Sequence, residues 1–214
     1  CRPAASTYTA RMRIPAPLLH LLLGSTLLAG MTSVGAQVPF SQCVESLQRE
    51  LPRYPKVRPE TFATHTREAE DLRPPIDSAS RSQPEFEIPI WDYLARLVDE
   101  KRISDGRGIL QQQAGALARI ANRHGIDAAT VVAVLGVESD YGRLQGRHKV
   151  VDATLSRACL RLSSKDRKSQ FFSALWLLQE GLVQPDNFRG SWAGAFGMTQ
   201  FMPATHTHYM ADGD

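Results

Sequence analysis

The stretch VVAVLGVESDYGR at residues 131–143 continues an apolar run that has the form of a helix with clear ends. Asp127 is the expected N-cap, because its carboxylate can accept hydrogen bonds from the free backbone N–H groups of the first turn, and Ile126 can pack on Val131 as a hydrophobic staple. Gly142 is expected to end the helix, since glycine takes up a left-handed C-terminal cap without steric cost. This segment predicts a fold built mainly of α-helices.

Glu138 is the carboxylate in the last turn of this predicted helix. Its neighbours at i−4, i−3 and i+3 are Val134, Leu135 and Tyr141, so the carboxyl group is expected to emerge through an apolar surface. That surface and the negative end of the helix dipole both favour the protonated form, which a general acid requires. The plainer interpretation of Glu138 alone is a solvated helix-end residue. Asp140 points around the helix and is predicted to be a surface charge.

A second stretch, GSWAGAFGMTQFMP at residues 190–203, combines small, polar and aromatic residues. Its small residues can let the backbone approach a ligand, while its hydroxyl and amide groups and flat rings suit a sugar. The alternative is a tightly packed turn between helices in which Trp192 and Phe196 belong to the core. With Glu138, this segment predicts an enzyme that cuts glycan chains.

Most of the remaining chain also has helical patterns, with neither sustained alternation nor an internal repeat. Residues 52–89 are rich in proline and predict loops with at most short helices, although Phe62, Leu72, Ile76, Phe86 and Ile88 need burial. Four other helices are predicted. The first is capped by Ser41, has Cys43, Val44, Leu47 and Leu51 as its apolar stripe and ends at Pro52, and the second starts at Pro89 with Ile90, Tyr93, Leu94, Leu97 and Val98 on one face. The third runs from about Ser104 to His124 and is ended by Gly125, and the fourth has Phe171, Phe172, Leu175, Trp176 and Leu178 on its buried side and is closed by Gly181.

Residues 1–36 are predicted to be a secretory signal peptide, with an apolar run too short to span a bilayer and a small-residue cleavage site after Ala36. Residues 1–11 precede Met12 and are interpreted as an over-extended reading frame, the alternative being a long charged n-region. Met31 stands where a lipoprotein would have its cysteine, so no stable membrane anchor is expected. Residues 37–214 form the predicted folded domain, and the location is periplasmic or secreted.

The charge of the predicted mature chain argues against nucleic acid as a partner. Without residues 1–36, 22 basic residues balance 22 acidic ones. The nearest basic cluster, between Arg157 and Lys168, is predicted to be a solvated helix face, because single-sign clusters are common at surfaces.

The cysteines predict a disulfide in an oxidising compartment. Once Cys1 is set aside with the signal peptide, Cys43 and Cys159 remain as a candidate pair, with two separate buried thiols as the alternative. A bridge between them would close a very long loop.

No cofactor or metal is expected. The segment Asp212-Gly213-Asp214 could begin a calcium loop, but an ordinary polar turn is the preferred interpretation, since such a loop needs a distal glutamate. His206 and His208 lack a third ligand and are predicted to be surface residues.

The chain resembles the membrane-bound lytic transglycosylase B family of bacterial murein-cleaving enzymes, also known as glycoside hydrolase family 103, in its soluble periplasmic branch. The resemblance is broad, and the last two of its segments are the most specific. The segments that carry it are Phe40-Ser41-Gln42-Cys43-Val44, Gln83-Pro84-Glu85-Phe86, Ile90-Trp91-Asp92-Tyr93-Leu94, residues 136–142, residues 190–197 and residues 199–203.

The resemblance implies a lysozyme-like helical domain that acts on peptidoglycan glycan strands. The glutamate matching Glu138 would be the sole acid/base: it would protonate the bond between N-acetylmuramic acid and N-acetylglucosamine, then take the proton of the muramoyl C6 hydroxyl, which closes onto C1 as a 1,6-anhydro end. The substrate's own N-acetyl group would stabilise C1, as in other exceptions to the two-carboxylate scheme. Groove positions implied by the match are Tyr141, Ser191, Met198, Gln200 and Phe201.

Three departures from the family pattern accompany this match. Residues 157–168 look as if a few residues were inserted before the family's paired arginines, which puts any substrate contact there in doubt, and Ser173-Ala174 stand where many relatives have an acidic residue. The chain also stops at Asp214 where relatives continue, so the expected catalytic domain at 37–214 is C-terminally incomplete. A muramidase-type hydrolase and a non-catalytic murein-binding truncated paralogue remain the alternative functions.

Overall fold

The computed structural model describes residues 38–82 and 87–210, and their secondary structure is almost entirely helical. The predicted signal peptide, the segment 83–86 and Asp212-Gly213-Asp214 lie outside the described residues. The elements, in chain order, are α1 (Phe40–Glu50), a 3₁₀ turn (Leu51–Arg53), α2 (Pro59–Thr66), α3 (Arg73–Arg81), α4 (Ile90–Leu97), α5 (Glu100–Gln112), α6 (Ala114–His124), α7 (Ala128–Ser139), β1 (His148–Lys149), α8 (Val150–Leu160), α9 (Lys165–Gln179), β2 (Arg189–Gly190) and α10 (Pro203–Tyr209). The predicted mainly α fold is confirmed.

The core forms around α8 and α9, which pack on each other and on α1, α2, α3 and α10. Most of α8 is buried, because helices cover it on several sides. The largest side chains of this core are Phe62, Phe171, Phe172, Leu47, Leu155, Leu175 and Leu177. Burial of each such side chain stabilises the fold by about 1.5–3 kcal/mol.

The predicted disulfide between Cys43 and Cys159 is present, with the two Cα atoms 5.6 Å apart. It joins α1 to the end of α8 across 116 positions of sequence. Cys43 is fully buried beside Leu47 in the same core.

Two helix boundaries differ from the predictions. Ser41 is not an N-cap: α1 begins at Phe40, and Pro39 precedes it without a side-chain cap bond. The single helix predicted over 104–124 is two helices that meet at Gln113, and the first begins earlier, because the Asp99 carboxylate accepts a 2.7 Å hydrogen bond from the Arg102 N–H and caps it. Gly125 ends α6 in the left-handed conformation, as predicted.

The proline-rich region contains short helices, as expected. Helices α2 and α3 each carry proline in the first turn, where its missing N–H costs no hydrogen bond. The apolar side chains Phe62, Leu72 and Ile76 are buried, and Phe86 lies outside the described residues.

Helix α4 forms as predicted, but its apolar face is only partly covered, with Tyr93 and Leu97 half-buried. Ile90, Leu94 and Val98 are exposed, and none of the described α4 residues is buried. Among the described helices, none is both long and apolar enough to cross a bilayer.

Candidate active site

Helix α7 carries Glu138 at its C-terminal end. The predicted cap is confirmed at its start, where the Asp127 carboxylate accepts a 3.0 Å hydrogen bond from the Thr130 N–H. The helix packs inward through Val132, Gly136 and Ser139.

Glu138 is exposed in this structure. The apolar surface expected around it is open to solvent: Val134, one turn earlier on the same stripe, is 44% exposed and faces away from the packed side of α7. Leu135 and Tyr141 are half-buried. The carboxyl group of Glu138 is therefore accessible to a ligand.

The end of α7 differs from the prediction that Gly142 terminates it. The left-handed conformation begins two residues earlier, with φ of 50° at Asp140 and 58° at Tyr141, and continues with 88° at Gly142. A left-handed residue other than glycine costs roughly 1–2 kcal/mol, so tertiary contacts must hold Asp140 and Tyr141 in place.

Ser139 supplies one of those contacts. Its side chain is buried, and its hydroxyl donates a 2.6 Å hydrogen bond to the Met198 carbonyl while accepting one of 2.9 Å from the Gly142 N–H. Met198 also packs on Gly142, where an added Cβ would lie 3.2 Å from Met198 Cγ. The residue after Glu138 therefore joins the two segments that the sequence singles out.

Tyr141 supplies another contact. Its hydroxyl donates a 2.8 Å hydrogen bond to the Arg102 carbonyl in α5. Its ring fills the space beside two glycines: a Cβ on Gly106 would lie 2.6 Å from the phenol oxygen, and one on Gly136 would lie 2.7 Å from it. The Tyr141 hydroxyl is thus used in a hydrogen bond within the protein, and a ligand would contact the ring.

An ion-pair network holds Asp140 beside the helix end. Arg143 lies 2.7 Å from Asp140 and 2.6 Å from Asp105, and Lys101 also reaches Asp105 at 2.6 Å. The hydrogen bond from Arg143 lowers the pKa of Asp140, and bonds to Asp140 and Asp105 raise the pKa of Arg143. Asp140 is therefore held as a carboxylate, in a structural role at the surface.

The segment 190–203 is folded mainly by its own hydrogen bonds. The Ser191 hydroxyl accepts bonds from the Ala193 and Ala195 N–H groups, and the Phe196 N–H donates 3.0 Å to the Phe201 carbonyl. The Ser191 hydroxyl oxygen is therefore already used as a hydrogen-bond acceptor within the turn.

The expectation that Gly190 and Gly194 let the backbone approach a ligand is wrong, because both are packed against protein. A Cβ on Gly190 would lie 2.2 Å from the Ala195 carbonyl oxygen, and one on Gly194 would lie 2.5 Å from Thr154 Cγ2. The alternative interpretation, a tightly packed turn, holds for this half of the segment. Its aromatic residues agree, since Phe196 meets Phe188 edge-on and Trp192 packs on the cluster around Ile76.

The other half of the segment faces solvent. Met198 and Phe201 are 45% and 40% exposed. Gln200 has a left-handed backbone, and its amide donates to the Gly197 carbonyl at 2.8 Å and the Gln145 carbonyl at 3.3 Å. The structure thus joins the end of α7, which carries Glu138 and Tyr141, to the loop that carries Met198, Gln200 and Phe201, through contacts of Ser139 and Gly142 with Met198. Ser191 is half-buried in the turn.

The basic cluster between Arg157 and Lys168 is not the predicted solvated face. Lys168 is buried and pairs with Glu50 at 2.7 Å, and the half-buried Arg157 donates 2.8 Å to the Ala193 carbonyl. Arg157 lies in α8 and Lys168 in α9, and each points inward to a partner from a distant part of the chain. Burial lowers the pKa of Arg157. Sequence reasoning missed its role in holding the segment 190–203, and no local pattern signals it.

The histidines of α10 differ from each other. His206 is half-buried against the Phe196 ring, and burial lowers its pKa, so its prediction as a surface residue is wrong. His208 is exposed as predicted. Within residues 38–82 and 87–210, no three acidic, histidine or cysteine side chains are grouped as a metal site would require.

Comparison with known proteins agrees with this architecture. The membrane-bound lytic murein transglycosylase B of Escherichia coli K12 is 27% identical over 125 residues, covering 56% of this chain and 34% of that protein. SltB3 of Pseudomonas aeruginosa, crystallised with NAG-NAM-pentapeptide, is 34% identical with a TM-score of 0.72, covering 82% of this chain and 46% of that one. SltB1 of the same organism is 28% identical with a TM-score of 0.69, covering 80% and 57%.

The chain therefore spans between about a third and somewhat over half of the length of these relatives. The model of one family, described as the transglycosylase SLT domain, matches residues 39–214. That match covers both segments of the candidate site and the helices that hold them, and the chain belongs to the transglycosylase SLT domain family.

Proposed function

We propose that this chain is the catalytic part of a periplasmic lytic transglycosylase that cleaves peptidoglycan, with Glu138 as its single acid/base. The observation that supports this proposal best is the Ser139–Met198 hydrogen bond, which ties the end of α7, where Glu138 is exposed, to the loop of residues 197–201. Family membership and the solved relative named for its NAG-NAM-pentapeptide complex support the choice of glycan.

The proposed reaction needs one proton carrier. Protonated Glu138 gives its proton to the glycosidic oxygen as the bond from that oxygen to C1 of N-acetylmuramic acid breaks. The resulting carboxylate takes the proton of the C6 hydroxyl as that oxygen bonds to C1. The products are an N-acetylglucosamine hydroxyl and a 1,6-anhydro ring, and no water is consumed.

The nearest described acid in sequence does not offer a second catalytic carboxylate. Asp140 is turned into the ion pair with Arg143. A single-carboxylate route, with the substrate's N-acetyl group stabilising C1, fits this arrangement better than the two-carboxylate scheme.

The remaining site residues have proposed binding roles. Met198 and Phe201 offer exposed apolar surface to sugar rings. Tyr141 offers the ring beside Glu138, and Gln200 offers its side-chain carbonyl, since its amide N–H groups are already used. Ser191 acts indirectly, by holding the turn.

The exposure of Glu138 favours a second candidate, a murein-binding protein that does not cut, because the apolar surface around this carboxyl group is open to solvent, with Val134 44% exposed. Export to the periplasm through the segment 1–36 is part of the main proposal.

The test is mass spectrometry of the fragments released from purified peptidoglycan by the chain and by its Glu138→Gln variant. We expect fragments with 1,6-anhydromuramic acid ends, one water lighter than reducing ends and absent with the variant. Reducing ends would indicate a muramidase, and no products from a folded chain would favour the binding protein. Asp140→Asn is the matched control, because it also neutralises an acid near the end of α7, and it should retain products.

A further inference from the structure

A cavity of about 440 Å³ opens between the 3₁₀ turn, α9 and α10. None of its lining residues belongs to residues 131–143 or 190–203, so it is separate from the candidate active site. Six of the residues that line it are Arg53, Tyr54, Lys56, Ser173, Trp176 and His208.

The charge of the cavity is positive. Arg53 and Lys56 lie on its lining, and none of the described lining residues is acidic. The nearby Glu50 is shared, at 2.7 Å from Lys168 and 3.4 Å from Arg53. One carboxylate therefore serves two cations, which leaves the rim with an excess of positive charge suited to an anion.

The walls of the cavity are aromatic. The Tyr54 ring stacks on Phe172 with centroids 3.8 Å apart, and the Lys56 ammonium group lies 5.6 Å from the centre of the Trp176 ring. Ser173 and Ser169 add hydroxyl groups. Flat apolar walls, hydroxyl groups and a cationic rim together suit an organic molecule that ends in a carboxylate.

Helix α10 links the cavity to the candidate active site along the chain. Met202, in the segment 190–203, precedes that helix, and the Ala204 N–H donates 2.9 Å to Gln170 of α9. Ala204 and His208 then line the cavity.

We propose that this cavity binds the carboxylate end of a peptide, and that the peptide is the one attached to the glycan strands. This inference rests on the proposed function. The cavity would hold the strand by its peptide while Glu138 acts on the glycan.

The test uses the indole N–H signals of the three tryptophans in the NMR spectrum of the full chain. Trp176 lies in the cavity and Trp192 lies in the segment 190–203, so each reports its own site, and Trp176→Phe assigns the first signal. The probe is N-acetylglucosaminyl-N-acetylmuramyl pentapeptide, titrated into the Glu138→Gln chain to prevent turnover. We expect the chemical shift of the Trp176 indole N–H to change and to reach a limit as the probe is added.

A pair of variants of equal size tests the charge argument. Ser173→Glu places a carboxylate on the cavity wall and should weaken binding at Trp176 by about tenfold or more, because like charges repel. Ser173→Gln should stay within about threefold. Lys56→Gln, at an exposed position, should also weaken binding, which keeps the test decisive if Ser173→Glu does not fold.

Two further probes identify the ligand group. The same compound with a C-terminal carboxamide should bind at least about tenfold more weakly at Trp176, and the disaccharide without peptide should leave the Trp176 signal in place. A stationary Trp176 signal with the pentapeptide, equal binding by the carboxamide, or an equal shift with the bare disaccharide would overturn the proposal. Cleavage of glycan strands stripped of peptide is measured separately, so failure of the proposed function is recognised independently.

Discussion

The Ser139 hydroxyl donates a 2.6 Å hydrogen bond to the Met198 carbonyl, and this contact joins the helix that carries Glu138 to the loop that carries Gln200 and Phe201. The two residues are 59 positions apart in sequence. Because Ser139 directly follows Glu138, movement of the loop would move the end of α7 with it.

Ser139→Ala should lower both stability and activity. The Met198 carbonyl and the Gly142 N–H would lose a buried partner, which costs about 1–3 kcal/mol in the free energy of unfolding. Denaturant unfolding measures this loss of stability. The kcat for release of products from peptidoglycan should also fall. Ser80→Ala is the control, because the Ser80 hydroxyl donates an exposed hydrogen bond to the Asp77 carbonyl within α3. Equal unfolding free energies for the two variants would contradict the role of Ser139.

Alanine at Gly106 should destabilise the chain, and alanine at Gly108 should not. A Cβ at Gly106 would lie 2.6 Å from the Tyr141 hydroxyl, which is held by the Arg102 carbonyl, whereas nothing lies within 4 Å of a Cβ at Gly108. We expect a loss of about 1–3 kcal/mol for Gly106→Ala and a gain of up to about 1 kcal/mol for Gly108→Ala, since alanine favours a helix. Thermal unfolding of both variants checks this, and a similar melting temperature for the two would refute the packing of Tyr141 on α5.

Asp152→Asn should stabilise the chain at neutral pH. Asp152 is 5% exposed, and burial raises the pKa of its carboxyl group in the folded state. The folded state then holds the proton more tightly than the unfolded state, so stability falls as the pH rises from the unfolded pKa through the raised folded pKa, and is level above it.

The gain from Asp152→Asn should therefore be full near pH 7 and vanish well below the ordinary carboxyl pKa of 3.8. Unfolding free energies from pH 2 to pH 8 measure it. A gain that is independent of pH would show that ionisation of Asp152 is not its cause.

Replacement of both Cys43 and Cys159 by serine should lower the free energy of unfolding by about 4 kcal/mol, because the bridge restricts a long loop of the unfolded chain. Thiol titration of the denatured chain should find only Cys1 before reduction and three thiols after it. Three free thiols without reductant would mean that the bridge does not form.

Local patterns predicted the features that depend on neighbouring residues. The Asp127 cap and the left-handed Gly125 follow from backbone N–H groups and φ preferences within one turn. The same reasoning could have found the start of α5, since Asp99 precedes it as Asp127 precedes α7. The cap predicted at Ser41 failed because Pro39 and Phe40 already begin that helix.

Long-range contacts decided what local patterns could not. Gly142 looked like the end of α7, but Tyr141 and Asp140 take the left-handed conformation first, because Arg102 and Arg143 hold them there. Likewise, the basic residues Arg157 and Lys168 point inward, because Arg157 donates a hydrogen bond to the Ala193 carbonyl and Lys168 forms an ion pair with Glu50, both distant in sequence.

Helical content and the two segments of the site were accessible from the amino-acid order, because apolar period, capping residues and composition act over a few residues. The Cys43–Cys159 pair followed from the cysteine count, since only these two cysteines lie outside residues 1–36. The exposure of Glu138, the packing of Gly190 and Gly194 against protein, and the Ser139–Met198 bond depend on which surfaces meet after folding. Such contacts join residues that are far apart in the chain, so only the tertiary structure could settle them.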